Sequence, residues 1–198
     1  LLPLPARWGT ISEGRRALRV LTGTARVRRL EELPGLSTRP TTDRVKEGLF
    51  SAIQFDIEGR RVLDLFAGTG QLGIEALSRG AAFCDFVDSA PAALKVVQRN
   101  VKICGFEDRA ACHGKDFNAF LTGRRERYGL IFLDPPYASG NLERGLERIT
   151  TIDIVVENGI IVCESPADQD LPDLPAPYEK GREYRYGKIK FTLYRRRA

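Results

Sequence analysis

Asp134-Pro135-Pro136-Tyr137 sets a carboxylate, the carbonyls of a stiff corner and an aromatic ring side by side. The stretch directly follows Tyr128-Gly129-Leu130-Ile131-Phe132-Leu133, a short apolar run that reads as a buried strand. Two prolines cannot continue a β-ladder, and their fixed φ makes the turn rigid. In open α/β sheets, ligands bind at such carboxyl edges. Paired acceptors beside a stacking ring suit a planar ring that carries an NH2 group. The plainer alternative is a strand-to-loop turn with a surface tyrosine.

A second strand end lies upstream. Arg61-Val62-Leu63-Asp64-Leu65-Phe66 is followed by Ala67-Gly68-Thr69-Gly70-Gln71-Leu72-Gly73, so glycines 68, 70 and 73 form G-x-G-x-x-G at a strand-to-helix junction. Such a turn lets backbone approach a ligand closely, and the helix amino end offers unpaired N–H groups. The glycines alone say only that a nucleotide-like cofactor fits. Asp64 is more discriminating, because a carboxylate there repels a pyrophosphate and suits a cation. S-adenosylmethionine carries a sulfonium and an ammonium and no phosphate.

Composition narrows the remaining classes. A chain of 198 residues is large enough for one domain with a substantial core. It has no apolar run long enough to span a membrane and no evident secretory signal. Cys84, Cys104, Cys112 and Cys163 lack C-x-x-C spacing and read as reduced residues of a cytoplasmic protein. His113 is the only histidine, which argues against Ser-His-Asp catalysis and histidine-rich zinc sites; no metal is implied. The chain lacks methionine, so residue 1 reads as something other than the natural start and residues 1–17 as an added or unstructured arm.

Charge is distributed unevenly. Residues 1–50 carry ten Lys/Arg against five Asp/Glu, and residues 180–198 carry eight against one. The segment between them holds thirteen against twenty. Basic ends around an acidic centre suit a phosphate backbone held at the periphery and a cationic cofactor in the middle. The bland reading of some of these charges, Arg195, Arg196 and Arg197 above all, is a solvated tail.

These residues need a frame. Arg19–Gly23 and Arg26–Leu30 alternate charged and apolar residues around Thr24-Ala25, which predicts a basic β-hairpin. Thr41 or Thr42 can cap a helix running to about Gln54. Strands at 61–66, 83–87, 110–112, 129–133 and 159–163 then alternate with helices near 71–79, 90–104, after Asp116, and 142–149. This β-α repetition calls for a parallel sheet covered by helices on both faces. Tyr178–Arg185 and Lys188–Arg195, joined at Tyr186-Gly187, predict an antiparallel hairpin that finishes a mostly parallel seven-stranded sheet. The organisation expected is an arm at 1–17, a basic hairpin extension at 18–40 and the α/β domain at 41–198.

At this point the chain resembles a known family. The Gly-rich loop with D-P-P-Y resembles the Rossmann-like class I methyltransferases that modify exocyclic amines. From about Leu18 onward the chain is similar to the RsmD family, bacterial methyltransferases of a guanine N2 in 16S ribosomal RNA. The matching pieces are Leu18–Leu30, the run from Thr38 to Glu47, Val62 to Gly80 (V-L-D-L-F-A-G-T-G-Q-L-G-I-E-A-L-S-R-G), Leu130 to Tyr137, and Tyr186-Gly187-Lys188. Asp88-Ser89-Ala90 departs from the pattern, which has a more charged neighbour after the acidic position.

Roles follow from strand-end position and from the resemblance together. Asp64 and the backbone of Phe66, Ala67, Gly68 and Gly70 are expected to hold the methionine end of S-adenosylmethionine. Asp88, with Ser89 beside it, sits where a carboxylate accepts ribose hydroxyls. Asp116 would accept from the adenine amine, with Phe117 or Lys115 flanking the ring. Asp134 and the Pro135 carbonyl would receive the N–H groups of the target amine, Asp134 also bordering the cofactor, while Pro136 and Tyr137 meet the base. Arg26, Arg28 and Arg29 are expected to meet RNA phosphates, whereas Arg39, Thr41, Thr42 and Arg44 either cover the cofactor or meet RNA. The implied partner is 16S rRNA or the assembling small ribosomal subunit. Rival readings are an NAD(P)-dependent oxidoreductase, a non-catalytic RNA-binding module and an adenine-N6 DNA methyltransferase. The first leaves Asp64 and the proline corner unexplained, the second leaves the acidic strand ends unexplained, and only the family-specific segments oppose the third.

Overall fold

The computed structural model of the chain describes residues 17–33 and 43–198. A seven-stranded sheet has the order β3-β2-β1-β4-β5-β7-β6. Its strands are β1 (Arg61–Asp64), β2 (Phe83–Asp88), β3 (Ala110–Gly114), β4 (Tyr128–Leu133), β5 (Val155–Pro166), β6 (Tyr178–Tyr186) and β7 (Ile189–Arg196). β1 to β5 are mutually parallel, and β7 runs antiparallel to both β5 and β6. The expected α/β sheet with antiparallel C-terminal strands is therefore present. The order reverses at β1, which makes the crevice beside its carboxyl end the place for a ligand.

Helices cover both faces. α1 (Asp43–Ala52), α2 (Gln71–Ser78) and α3 (Pro91–Cys104) pack on one side over Val62, Phe86, Leu130, Phe132 and Val162. α4 (Phe117–Leu121) and α5 (Asn141–Thr151) pack on the other over Leu63, Val87, Ile131 and Leu133. All six residues of β4 are buried, which is why its sequence is a continuous apolar run rather than an alternating one. α3 begins with Pro91 at its first turn and stops at Gly105, whose left-handed φ of 72° closes the helix. At Gly73, a Cβ would lie 2.3 Å from the Phe86 ring, so the third glycine of the loop exists to seat α2 on β2.

The basic hairpin expected at the amino end is not formed as two strands. Residues 17–33 make one antiparallel bridge, Arg19 to Arg29, around a turn. The ladder stops because Leu21 and Thr22 donate their N–H groups to the Glu75 carboxylate of α2, at 2.8 and 3.0 Å. Leu18, Val20, Ala25 and Leu30 are buried in the core, so this segment is a strap laid across the domain. Thr41 and Thr42, expected to cap α1, lie outside the described residues, as does Arg39.

The C-terminal charges are not a solvated tail. Arg195 forms a two-pronged pair with Asp56 at 3.0 Å, Arg196 pairs with Asp153 at 2.8 Å, and Arg197 with Glu179 at 2.7 Å. Buried Lys190 meets Glu183 at 2.8 Å.

Candidate active site

Four carboxylates gather at the carboxyl edge of the sheet: Asp64 closing β1, Asp88 closing β2, Asp134 after β4, and Glu164 near the end of β5. Asp64 is almost wholly buried, and its Oδ2 accepts from the Gly73 N–H at 3.0 Å. Burial raises its pKa from 3.8 to about 7, with Asp88 adding to the rise and the Gly73 N–H opposing it. Burial, then Glu164 and then Asp64 hold the Asp134 carboxyl well above the usual carboxylate range. Asp64 and Asp134, held this far from comfortable ionisation, are prepared for a cation and hostile to a second anion.

The Gly-rich loop is shaped by the same acids. Asp88 Oδ2 accepts from the Gly68 N–H at 2.9 Å, and its Oδ1 accepts from the Ala90 N–H at 2.8 Å. Ala67 donates its N–H to the Val87 carbonyl at 2.9 Å, which ties the loop to β2. Gly68 has φ of 55°, and no atom lies within 4 Å of where its Cβ would be. The backbone therefore presents a surface that a side chain would cover. Buried acids below and bare backbone above fit a nucleoside-linked cation.

The neighbouring strand end brings Asp116 to the same edge, since Asp88 pairs in register with Gly114. Asp116 is exposed, and its Oδ1 caps α4 by accepting from the Asn118 N–H at 2.9 Å. Phe117 is buried, with its ring 5.3 Å from that of Phe66 and the Arg144 guanidinium 5.5 Å from its centre. Its ring thus packs against Phe66 at the start of the Gly-rich loop. Ser89 is exposed next to Asp88.

The proline corner differentiates its two carbonyls. That of Pro136 accepts from both the N–H and the hydroxyl of Ser139, at 3.1 and 2.6 Å. That of Pro135 has no donor among the described residues, so the acceptor next to Asp134 is left for a ligand. Tyr137 is half exposed, and its hydroxyl donates to Glu164 Oε1 at 2.8 Å. Burial, with Glu164 next, pushes the tyrosine pKa far up, so the phenol stays a donor.

Glu164 was not singled out from the sequence. The signal was available: Ile160-Ile161-Val162-Cys163-Glu164-Ser165-Pro166 repeats the pattern of apolar run, acid and proline seen at Leu130 to Pro135. The residues expected from the sequence to meet RNA fall outside this edge cluster. Arg26, Arg28 and Arg29 are exposed on the strap and Arg44 on α1, and none has an ionic partner among the described residues. Tyr186, at the β6–β7 turn, packs over Gly48 of α1 so closely that a Cβ there would clash with its hydroxyl. The Y-G-K run is thus an anchor for the helix that carries Arg44. No group of three or more His, Cys, Asp or Glu among the described residues is arranged to hold a metal.

Comparison with known proteins agrees with this geometry. A family model described as "Conserved hypothetical protein 95" matches residues 18–195. The chain is 38% identical over 184 residues to the "Putative rRNA methyltransferase YlbH" of Bacillus subtilis, covering 91% of this chain and all of that one. It is 33% identical to ribosomal RNA small subunit methyltransferase D of Escherichia coli, covering 91% of each. A solved Escherichia coli structure, described as "Putative methyltransferase yhhF", superposes with a TM-score of 0.82 at 31% identity, covering 91% of this chain and 98% of that one. Sequence and fold over almost the whole described chain agree, and the protein belongs to the RsmD/YlbH family of methyltransferases.

Proposed function

We propose that this protein methylates the exocyclic N2 amine of a guanine in bacterial 16S rRNA, in the cytoplasm, on free rRNA or on an assembling small subunit. The observation that carries the reading is the corner itself. The Asp134 carboxyl and the unengaged Pro135 carbonyl stand beside a tyrosine anchored by Glu164, next to an acid cluster suited to a cation. The rRNA assignment draws on the relatives, one of which is named for the small subunit.

Asp64 and the backbone of Phe66 to Gly70 would hold the methionine end of S-adenosylmethionine, and Asp88 the ribose. When bound, that cofactor supplies a methyl group on a positively charged sulfur. The residues of this chain do the rest. The guanine N2 is a poor nucleophile because its lone pair is delocalised into the ring. Its two N–H groups donating to Asp134 and to the Pro135 carbonyl would localise that pair and fix its direction, so positioning and electrostatics supply most of the acceleration. Asp134 must be ionised to act as the stronger acceptor, and a cation held nearby favours that form. Tyr137 would stack on the extruded base, a contact worth about 1–3 kcal/mol.

The dinucleotide reading meets a physical obstacle. Asp64 is buried directly beneath the loop, where the pyrophosphate of NAD(P) would sit. Calorimetry with S-adenosylmethionine and with NAD, followed by transfer of labelled methyl to 16S rRNA, tests the proposal. Binding of NAD alone, or methylation only of DNA adenine, would overturn it.

A further inference from the structure

Asn100 is wholly buried on α3, and all three of its side-chain hydrogen bonds leave the helix. Its Oδ1 accepts from the Glu31 N–H at 2.7 Å, and its Nδ2 donates to the Glu31 carbonyl at 3.0 Å. The second proton of the same NH2 goes to the Thr69 carbonyl at 2.9 Å. Thr69 lies between the two glycines that shape the candidate cofactor loop, and Glu31 lies near the end of the described strap. One rigid, planar amide therefore joins both, and an amide has no further rotor by which to keep one bond while releasing the other.

The rest of the strap is fastened to the same neighbourhood. Ser78 of α2 accepts from the Ala25 N–H at 3.0 Å and donates to the Thr22 carbonyl, while Glu75 holds Leu21 and Thr22. Lys46 of α1 donates to the Arg19 carbonyl at 2.6 Å and lies 3.6 Å from Glu75. Between these anchors the chain projects Arg26, Val27, Arg28 and Arg29 into solvent. Val27 is 67% exposed at φ of 64°, a conformation in which a β-branched residue is strained. The basic turn is thus held out by fixed points that all bear on α1, α2 and the loop.

We infer that Asn100 is a positioning residue that couples RNA held on the strap to the conformation of the cofactor loop. The inference rests on the function proposed above. The strap carries the charges that meet phosphate, and the loop carries the backbone that meets the cofactor. A displacement of Glu31 is transmitted through the amide plane to Thr69, and the coupling is reciprocal, because each ligand biases the same linked arrangement. The E-A-L-S-R-G run around Glu75 and Ser78 fastens the strap from the other side.

Two measurements test this. In the Asn100→Asp variant, similar in shape, an oxygen replaces the NH2 and faces the Glu31 and Thr69 carbonyls. Calorimetry should show S-adenosylmethionine affinity reduced about tenfold, as expected for loss of a buried hydrogen bond, with cofactor KM rising far more than kcat falls. In the wild type, saturating S-adenosylmethionine should slow hydrogen exchange at the Glu31 amide, although no cofactor contact is assigned to the strap. Equal cofactor affinity in the folded variant overturns the coupling. Unchanged exchange at Glu31 overturns it as well, and this second measurement decides alone should the variant fail to fold. A wild type that does not bind S-adenosylmethionine at all overturns the proposed function and the coupling together, a result distinguishable from the other two.

Discussion

The Tyr137 hydroxyl donates to Glu164 Oε1 at 2.8 Å, so the ring at the end of β4 is fixed by a carboxylate on β5. Tyr137 opens the short turn Tyr137–Ser139 that follows β4, and β4 lies beside β5 in parallel, with Leu133 pairing with Cys163. The ring can therefore be both accessible and fixed in direction, a combination that a loop tyrosine lacks. It also means that the hydroxyl contributes more than a stacking face would require. Tyr137→Phe is expected to lose up to about tenfold in single-turnover methyl transfer, because the hydrogen bond that fixes the ring is removed. Tyr137→Ala should lose more, chiefly in RNA affinity. Glu164→Gln combined with Tyr137→Phe should cost less than the sum of the two single changes, and full additivity would show that the contact is incidental.

At the corner, Asp134→Asn keeps the shape and replaces an acceptor oxygen with a donor NH2. The expected result is a loss of at least about a hundredfold in rate, the scale for removing an acceptor that acts in the transition state. Cofactor affinity should change little. The same substitution removes a carboxyl that burial, Glu164 and Asp64 all disfavour in its ionised form, so the ligand-free protein should melt at a higher temperature. Near-normal turnover would rule out the mechanism.

Asp64 predicts a pH dependence with a definite sign. Its pKa in the folded protein, about 7, is raised above the ordinary 3.8. The folded state therefore binds more protons than the unfolded state between these values. The stability contributed by this group is fully present below about pH 4 and is lost as pH rises through about 7. A cofactor cation favours the ionised form, so affinity should climb by up to about tenfold per pH unit below 7 and flatten above it. Calorimetry across this range, with proton release followed in buffers of different ionisation enthalpy, checks both signs. Asp64→Asn should bind weakly at every pH with little slope.

Asp88 has a structural role beside the ribose contact proposed for it, since both of its oxygens already accept from the loop and the α3 start. Asp88→Ala should weaken S-adenosylmethionine and its demethylated product by about 1–3 kcal/mol, the range for a lost hydrogen bond with a buried partner left unmade. Unchanged affinity in titrations would remove Asp88 from the site.

On the strap, replacing Arg26, Arg28 and Arg29 together with Ala should flatten the log–log salt dependence of rRNA binding by up to roughly three units. Cofactor affinity measured without RNA should stay as in the wild type. A salt slope identical to that of the wild type would make this turn a solvated surface.

Much of this was legible in local sequence because strand ends are local. Short apolar runs closed by Asp64, Asp88 and Asp134 place three acids at one edge once the sheet is parallel. Glu164 escaped notice because its importance depends on β5 lying beside β4, a fact of strand order rather than of spacing. Asn100, Glu75 and Ser78 escaped for a different reason. Each sits inside a helix and bonds to backbone 31 to 69 residues away, which leaves no periodic trace. The amino-terminal hairpin misled in the opposite direction. Its alternation of charged and apolar residues is real, but a buried carboxylate on α2 competes successfully for the N–H groups a ladder would have used.

β6 is the exposed margin of the sheet, and a bare strand margin is a template on which a second copy can grow. Here Glu179, Lys180, Arg182, Glu183 and Arg185 stud that margin, and its register with β7 slips between Lys180 and Glu183. Charge and irregular spacing together deny an incoming strand a continuous row of partners. Lys180, Arg182 and Arg185 thus lie on a strand margin whose irregular register with β7 resists pairing with another strand. Exchanging Lys180, Arg182 and Arg185 for threonine should shorten the time to visible aggregation in concentrated solution.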